Sequence, residues 1–99
     1  MKFYSTNNKT LEVSFKDAVF NSLPADKGLY MPEEIPQLDP LFIKNIQQHS
    51  LQEIAFEVAS TLLGKDIPKD DLKQIVNDAI NFDAPVRFLT DSTAVLELF

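Results

Sequence analysis

The chain has no cysteine, so disulfides and thiolate metal sites are excluded, which suits a reducing compartment. Its only glycines are Gly28 and Gly64. Phosphate cradles need several glycines so that backbone N–H groups can approach the ligand, and no phosphate loop or dinucleotide fingerprint is present. The single histidine, His49, has no second histidine or glycine-flanked serine near it in sequence. Neither a nucleophilic triad nor a metal site can be assembled around it, and a solvated or locally bonded role is expected. Arg87 is the one arginine and the eight lysines are scattered, on a net charge of −6. Without clustered cations the chain is suited neither to nucleic acid nor to an anionic membrane surface. No stretch approaches the roughly 20 apolar residues of a membrane span. The opening Met1-Lys2-Phe3-Tyr4 turns polar by Ser5 to Asn8, so the apolar core of a signal peptide is missing. The expected location is cytoplasmic.

What is present is the composition of a globular domain: 44% hydrophobic and 24% charged residues in 99 positions, enough for one core and too few for two. Lys2 to Thr6 reads as a short strand, Asn7-Asn8-Lys9 as a turn, and Leu11 to Val13 as the second strand of a hairpin. Ser14 with Asp17 three residues on is a shortened capping box. It opens a helix from about Phe15 to Ser22 with Phe15, Ala18, Val19 and Leu23 at helical spacing. Pro24 to Gly28 is a loop, and Leu29-Tyr30-Met31 an extended apolar segment bounded by Pro32. Asp39-Pro40 caps a short helix reaching about Gln48.

The clearest element starts at Ser50, which forms a capping box with Glu53. Leu51, Ile54, Ala55, Val58 and Leu62 keep one face apolar, and Gly64 is expected to close the helix in a left-handed conformation. A second helix begins near Pro68, with Asp70 and Asp71 in its first turn and Leu72, Ile75, Val76, Ala79 and Ile80 as its stripe. The two should pack as an antiparallel hairpin. Val86 to Leu89 and Val95 to Phe99 read as strands around a turn at Thr90-Asp91-Ser92. The last strand ends in mid-run with no polar tail, which reads as a cut inside a longer protein.

Few residues invite chemistry. Asp70-Asp71 and Glu33-Glu34 are adjacent carboxylates, but neighbours on a helix diverge; a helix dipole explains the first pair and a solvated loop the second. Ser50 is similar in its setting to the serine of acyl carrier proteins, which bears a phosphopantetheine arm. Those proteins have Asp-Ser-Leu, however, whereas this chain has His49-Ser50-Leu51, and Ser50 already has a capping role with Glu53. Leu29, Tyr30 and Met31 either seal an edge of the core or meet another domain, because aromatic and methionine side chains are favoured at interfaces.

Several motifs in order carry a resemblance. Val13-Ser14-Phe15-Lys16-Asp17-Ala18-Val19 is followed by Asp26-Lys27-Gly28-Leu29-Tyr30-Met31-Pro32-Glu33 and Ile35-Pro36. Phe82, Ala84-Pro85-Val86 and Leu96-Glu97-Leu98-Phe99 complete the series. Together they resemble the amino-terminal region of threonine synthases across nearly the whole chain. One position departs: the family usually has two glycines before Leu-Tyr, and Lys27 stands at the first. If that position requires positive φ, lysine costs about 1 kcal/mol or more there.

The resemblance implies an enzyme that uses pyridoxal phosphate to convert O-phosphohomoserine and water into threonine and phosphate. In the family the Leu-Glu-Leu-Phe strand runs on into His-Gly-Pro-Thr and the lysine that binds the cofactor. No lysine of this chain stands in that context, so no catalytic, cofactor-binding or metal-binding residue is assigned to it. The expected fold is α+β, with three or four helices including an antiparallel helix hairpin and a small sheet from strands at both ends. Residues 1–85 are expected to form an amino-terminal domain and 86–99 to lead toward the cofactor-bearing domain. Contact with the rest of a longer chain is expected at Leu29, Tyr30, Met31, Leu96, Leu98 and Phe99, and self-association is expected if those faces lie bare. The alternative is a stand-alone acidic helical interaction or acyl-carrier-like module.

Overall fold

A computed structural model describes residues 1–99. Its first part is a three-stranded antiparallel sheet in the order β2-β1-β3, built from β1 (Lys2–Ser5), β2 (Glu12–Ser14) and β3 (Tyr30–Pro32). β1 is central, pairing Phe3 with Val13 on one side and with Pro32 on the other. The segment expected to be merely extended is thus an edge strand, where proline is tolerated because one side of the backbone is unpaired. Ser14 caps α1 (Phe15–Asn21): its Oγ accepts from the Asp17 amide at 3.1 Å and donates to the Asp17 carboxylate at 2.6 Å. The Phe15 ring lies 5.9 Å from that of Phe3, fixing α1 against the sheet.

After a loop come α2 (Pro40–Lys44), a 3-10 turn at Ile46–Gln48, and the antiparallel pair α3 (Leu51–Leu63) and α4 (Lys69–Ala79). Both arms of the Ser50–Glu53 capping box are made. The amine of Met1 lies 3.1 Å from Asp66 in the α3–α4 loop, which ties the sheet to the helices. Asp70 and Asp71 occupy the first turn of α4, which Pro68 begins without a side-chain cap.

Gly64 departs from the expected left-handed closure, with φ −63° and ψ −16°. α3 runs directly into a tight turn in which the amides of Asp66 and Ile67 both donate to Leu63 O. Glycine is needed there for space: a Cβ would stand 2.5 Å from Ser60 O.

The last element is a hairpin of β4 (Val86–Thr90) and β5 (Thr93–Leu96), with a bulge between Phe88 and Thr90. The architecture is α+β with four helices. The strands from the two ends form two separate sheets, because β1 has already filled both its edges with β2 and β3. The final strand is shorter than expected, and Leu98 and Phe99 lie beyond it.

The core is small. Leu72 (2% exposed), Val76 (7%) and Ala18 (8%) are the buried apolar residues, and six of the 99 residues are buried in all. Of the two helix stripes expected to be internal, only Leu72 and Val76 are buried; Ile54, Ala55, Leu62 and Ile80 are half-covered, and Leu51, Val58, Ile75 and Ala79 are exposed.

Candidate interdomain surface

The sheet-side loops are built around Ser5, which is fully buried. Its hydroxyl donates to Asp26 Oδ1 at 2.6 Å and accepts from the Asn7 amide at 3.3 Å. Asp26 Oδ1 also accepts from the Gly28 amide at 3.0 Å, and Asn7 Nδ2 donates to the Asp26 carbonyl at 2.9 Å. Asp26 Oδ2 is buried without a partner. A Cβ at Gly28 would collide with Ser5 Oγ and stand 3.0 Å from the Asn7 amide nitrogen, so Gly28 serves close packing. Lys27 sits between these residues with φ 64°, in the left-handed region where a lysine is strained.

This loop sends the chain into β3, and strand alternation then separates the three candidates Leu29, Tyr30 and Met31. Tyr30 is half-buried and lines an apolar groove with Leu11, Val13, Leu23 and Ala25. Leu29 and Met31 face outward, 59% and 39% exposed. The candidates at the other end, Leu96, Leu98 and Phe99, are also exposed. Tyr30 and Met31 belong to the first sheet and Leu96 to the hairpin, and no strand pairing joins the two.

The residues that the sequence reading missed lie on α1. Ala18 alone is buried there, while Val19 and Phe20 are 56% and 79% exposed and Leu23, just beyond, is 59% exposed. Val19 and Phe20 form one wall of a groove of about 560 Å³ whose far side is Leu63, Ile67, Ile75 and Val76. A signal was available: α1 carries apolar residues on more than one face, the pattern of a helix covered on both sides. The hairpin is barer still, with every residue of β4 and β5 exposed. Val86, Phe88, Ala94 and Leu96 share one face, and Leu89 and Val95 lie on the other beside an Arg87–Glu97 ion pair at 3.6 Å.

The magnitudes are large. The accessible surface is 7642 Å², whereas a monomer of this mass is expected to show roughly 5,700 Å². The radius of gyration is 16.6 Å, against about 13 Å for a compact domain of this length. The excess of roughly 1,900 Å² is more than twice the ~800 Å² that one partner contributes to a standard interface.

Two titratable groups are perturbed by local contacts. Glu53 has its carboxyl held below the ordinary value, first by the hydrogen bond from the Ser50 amide and also by His49, whose Nδ1 lies 3.6 Å away. The His49 ring rests 4.7 Å from that of Phe42. Lys2 is raised by its 3.1 Å hydrogen bond to Glu12 across the β1–β2 pair. No three His, Asp or Glu side chains come together as a metal site, and no helix is long and apolar enough to cross a membrane.

The fit to pyridoxal phosphate can be judged from the lysines and glycines. All eight lysines are exposed. Both glycines are committed to packing, Gly28 against Ser5 and Gly64 against Ser60. These residues do not make a pyridoxal phosphate site, and no chemical step is assigned to them.

Comparisons with known proteins bear on the same surface. Residues 2–80 match the family model described as threonine synthase N terminus. The chain is 35% identical to threonine synthase of Schizosaccharomyces pombe and 30% identical to that of Serratia marcescens. It aligns in full with both and spans 20% and 23% of their lengths. The crystal structure of threonine synthase from Escherichia coli superposes with a TM-score of 0.87 at 29% identity, over all of this chain and 23% of that one. The bare surface is thus the surface of a segment that, in relatives more than four times as long, is followed by further chain. By sequence and by fold, this chain belongs to the threonine synthase family as its amino-terminal domain.

Proposed function

We infer that this domain serves a full-length, pyridoxal-phosphate-dependent threonine synthase that forms threonine and phosphate from O-phosphohomoserine and water. Its part is structural: it packs on the cofactor-bearing domains and helps to wall and order the active site. Residues 1–85 form the amino-terminal unit, and 86–99 lead toward the cofactor-bearing part. The observation that carries this reading is the uncovered apolar surface, on α1 (Val19, Phe20, Leu23), on Leu29 and Met31, and on the hairpin through Leu96, Leu98 and Phe99. Surface of that extent and character is covered in a stable protein. The reaction's own groups lie outside these 99 residues, since the lysines and glycines here do not fit the cofactor.

Full-length enzyme lacking residues 1–85 is expected to lose most threonine formation and to hold its cofactor less firmly, read by phosphate release and by the absorbance of bound pyridoxal phosphate. Activity and occupancy that survive the deletion would refute the structural role. A carrier role for Ser50 is disfavoured because its side chain and amide are both used in the capping box.

A further inference from the structure

α3 and α4 line a cleft of about 380 Å³ that the docking reading does not use. On α4, Lys69, Lys73 and Asn77 recur every fourth residue and so share one face. Across from them on α3 stand Glu53 and Glu57, also one turn apart, with Phe56 beside them. Phe42, whose ring lies 4.7 Å from that of His49, lines the cleft near the start of α3. The facing charges are complementary yet unmatched. Neither lysine makes an ion pair, and Glu57, which is half-buried, makes none either. Glu53 is already engaged, by the Ser50 amide at 2.8 Å and by His49 Nδ1 at 3.6 Å. The open groups are thus one carboxylate and two ammoniums beside aromatic carbon. A simple anion is repelled there by Glu57 and a simple cation by the lysines, whereas a molecule carrying both signs satisfies both sides. The volume is that of a small-molecule site. A second hollow of about 300 Å³ shares Phe56, Glu57 and Lys69, and it continues toward Gly64.

We propose that this cleft binds a free α-amino acid with an apolar side chain. The ligand's carboxylate has two oxygens, one for each of Lys69 and Lys73, and accepts from both. Its ammonium donates to Glu57, and its side chain lies over Phe56 toward Phe42. A ligand held in this way bridges α3 and α4. That pairing has little else to fix it, since α3 contributes no buried residue and α4 only Leu72 and Val76. Binding therefore stabilises the helix hairpin in proportion to the ligand's occupancy.

Isothermal titration calorimetry on the full-length protein tests this, with L-leucine as the probe. The expected result is saturable binding of L-leucine. L-leucinamide lacks the carboxylate and N-acetyl-L-leucine lacks the ammonium, and each is expected to bind more weakly by about tenfold or more. No binding of L-leucine, or equal affinity for all three compounds, overturns the proposal. Two variants then locate the site. Lys69→Met combined with Lys73→Met, and separately Glu57→Gln, should each weaken L-leucine by about tenfold or more. Affinity unchanged in both variants means that the amino acid binds elsewhere and overturns the assignment. The comparison of analogues is made on the unaltered protein, so a variant that fails to fold leaves that test intact.

Discussion

Replacing Lys27 by glycine should stabilise this domain. Lys27 has φ 64°, in the left-handed region, where an L-residue pays about 1–2 kcal/mol relative to right-handed backbone. Glycine removes that cost but loses more freedom on folding, about 0.5–1 kcal/mol. No ion pair is given up, because Lys27 is exposed and makes no salt bridge. The net expectation is a gain of roughly 0.5–1 kcal/mol, or about 2–8 °C in Tm for a domain of this size. Lys27→Val makes the control, since a β-branched residue suits positive φ least and should destabilise by at least 1 kcal/mol or so. Urea titration of the three chains, with slopes compared to exclude changes in the unfolded state, reads the series. A Lys27→Gly chain less stable than its parent, or a harmless Lys27→Val, would refute the assignment of left-handed backbone to Lys27.

The ring of Phe20 is 79% exposed here; if the proposed docking covers it, Phe20→Ala should cost about 2–4 kcal/mol in the full-length protein and within about 0.5 kcal/mol in the 99-residue chain. Equal small effects in the two settings, read by thermal denaturation, would show that the α1 face stays wet. Gly28→Ala is expected to destabilise by roughly 2 kcal/mol or more through its collision with Ser5 Oγ. Adding Ser5→Ala should recover part of that loss in a double-mutant cycle, and strict additivity would count against the contact. Ser50→Ala should cost about 1 kcal/mol of α3 stability by removing the cap. Because the folded-state pKa of Glu53 is depressed, its contribution is complete above the ordinary glutamate value of about 4.3 and is lost as pH falls through the lower folded value. Glu53→Gln should therefore flatten the acid limb of helix content measured by circular dichroism, and an unaltered limb would remove this carboxylate from the account. The 99-residue chain is expected to self-associate as concentration rises, and Phe20→Asp with Phe88→Asp to reduce it; sedimentation equilibrium decides, with a monomer at all concentrations as the contrary result.

Where local chemistry decides, the amino-acid order was a sufficient guide. Ser14 with Asp17, Asp39 with Pro40, and Ser50 with Glu53 each start a helix where expected, because a cap is a contact between residues two or three apart. The hairpin of α3 and α4 and the turn at Thr90 to Ser92 follow for the same reason. The family was likewise legible in the ordered motifs, and the comparisons show it through a family match over residues 2–80 and relatives aligned over the whole chain.

Tertiary structure decided what depends on contacts distant in sequence. That Tyr30 to Pro32 becomes an edge strand follows from β1 having an edge free for it, 25 to 29 residues away, which no local preference encodes. That the two ends form separate sheets follows from β1 being filled on both sides. Lys27 is set by the way Asp26 folds back on Ser5. The role of α1 was hidden most fully, because an apolar residue in a sequence is equally suited to a core and to an interface. Only three-dimensional packing shows that Ala18 is inside while Val19, Phe20 and Leu23 remain uncovered.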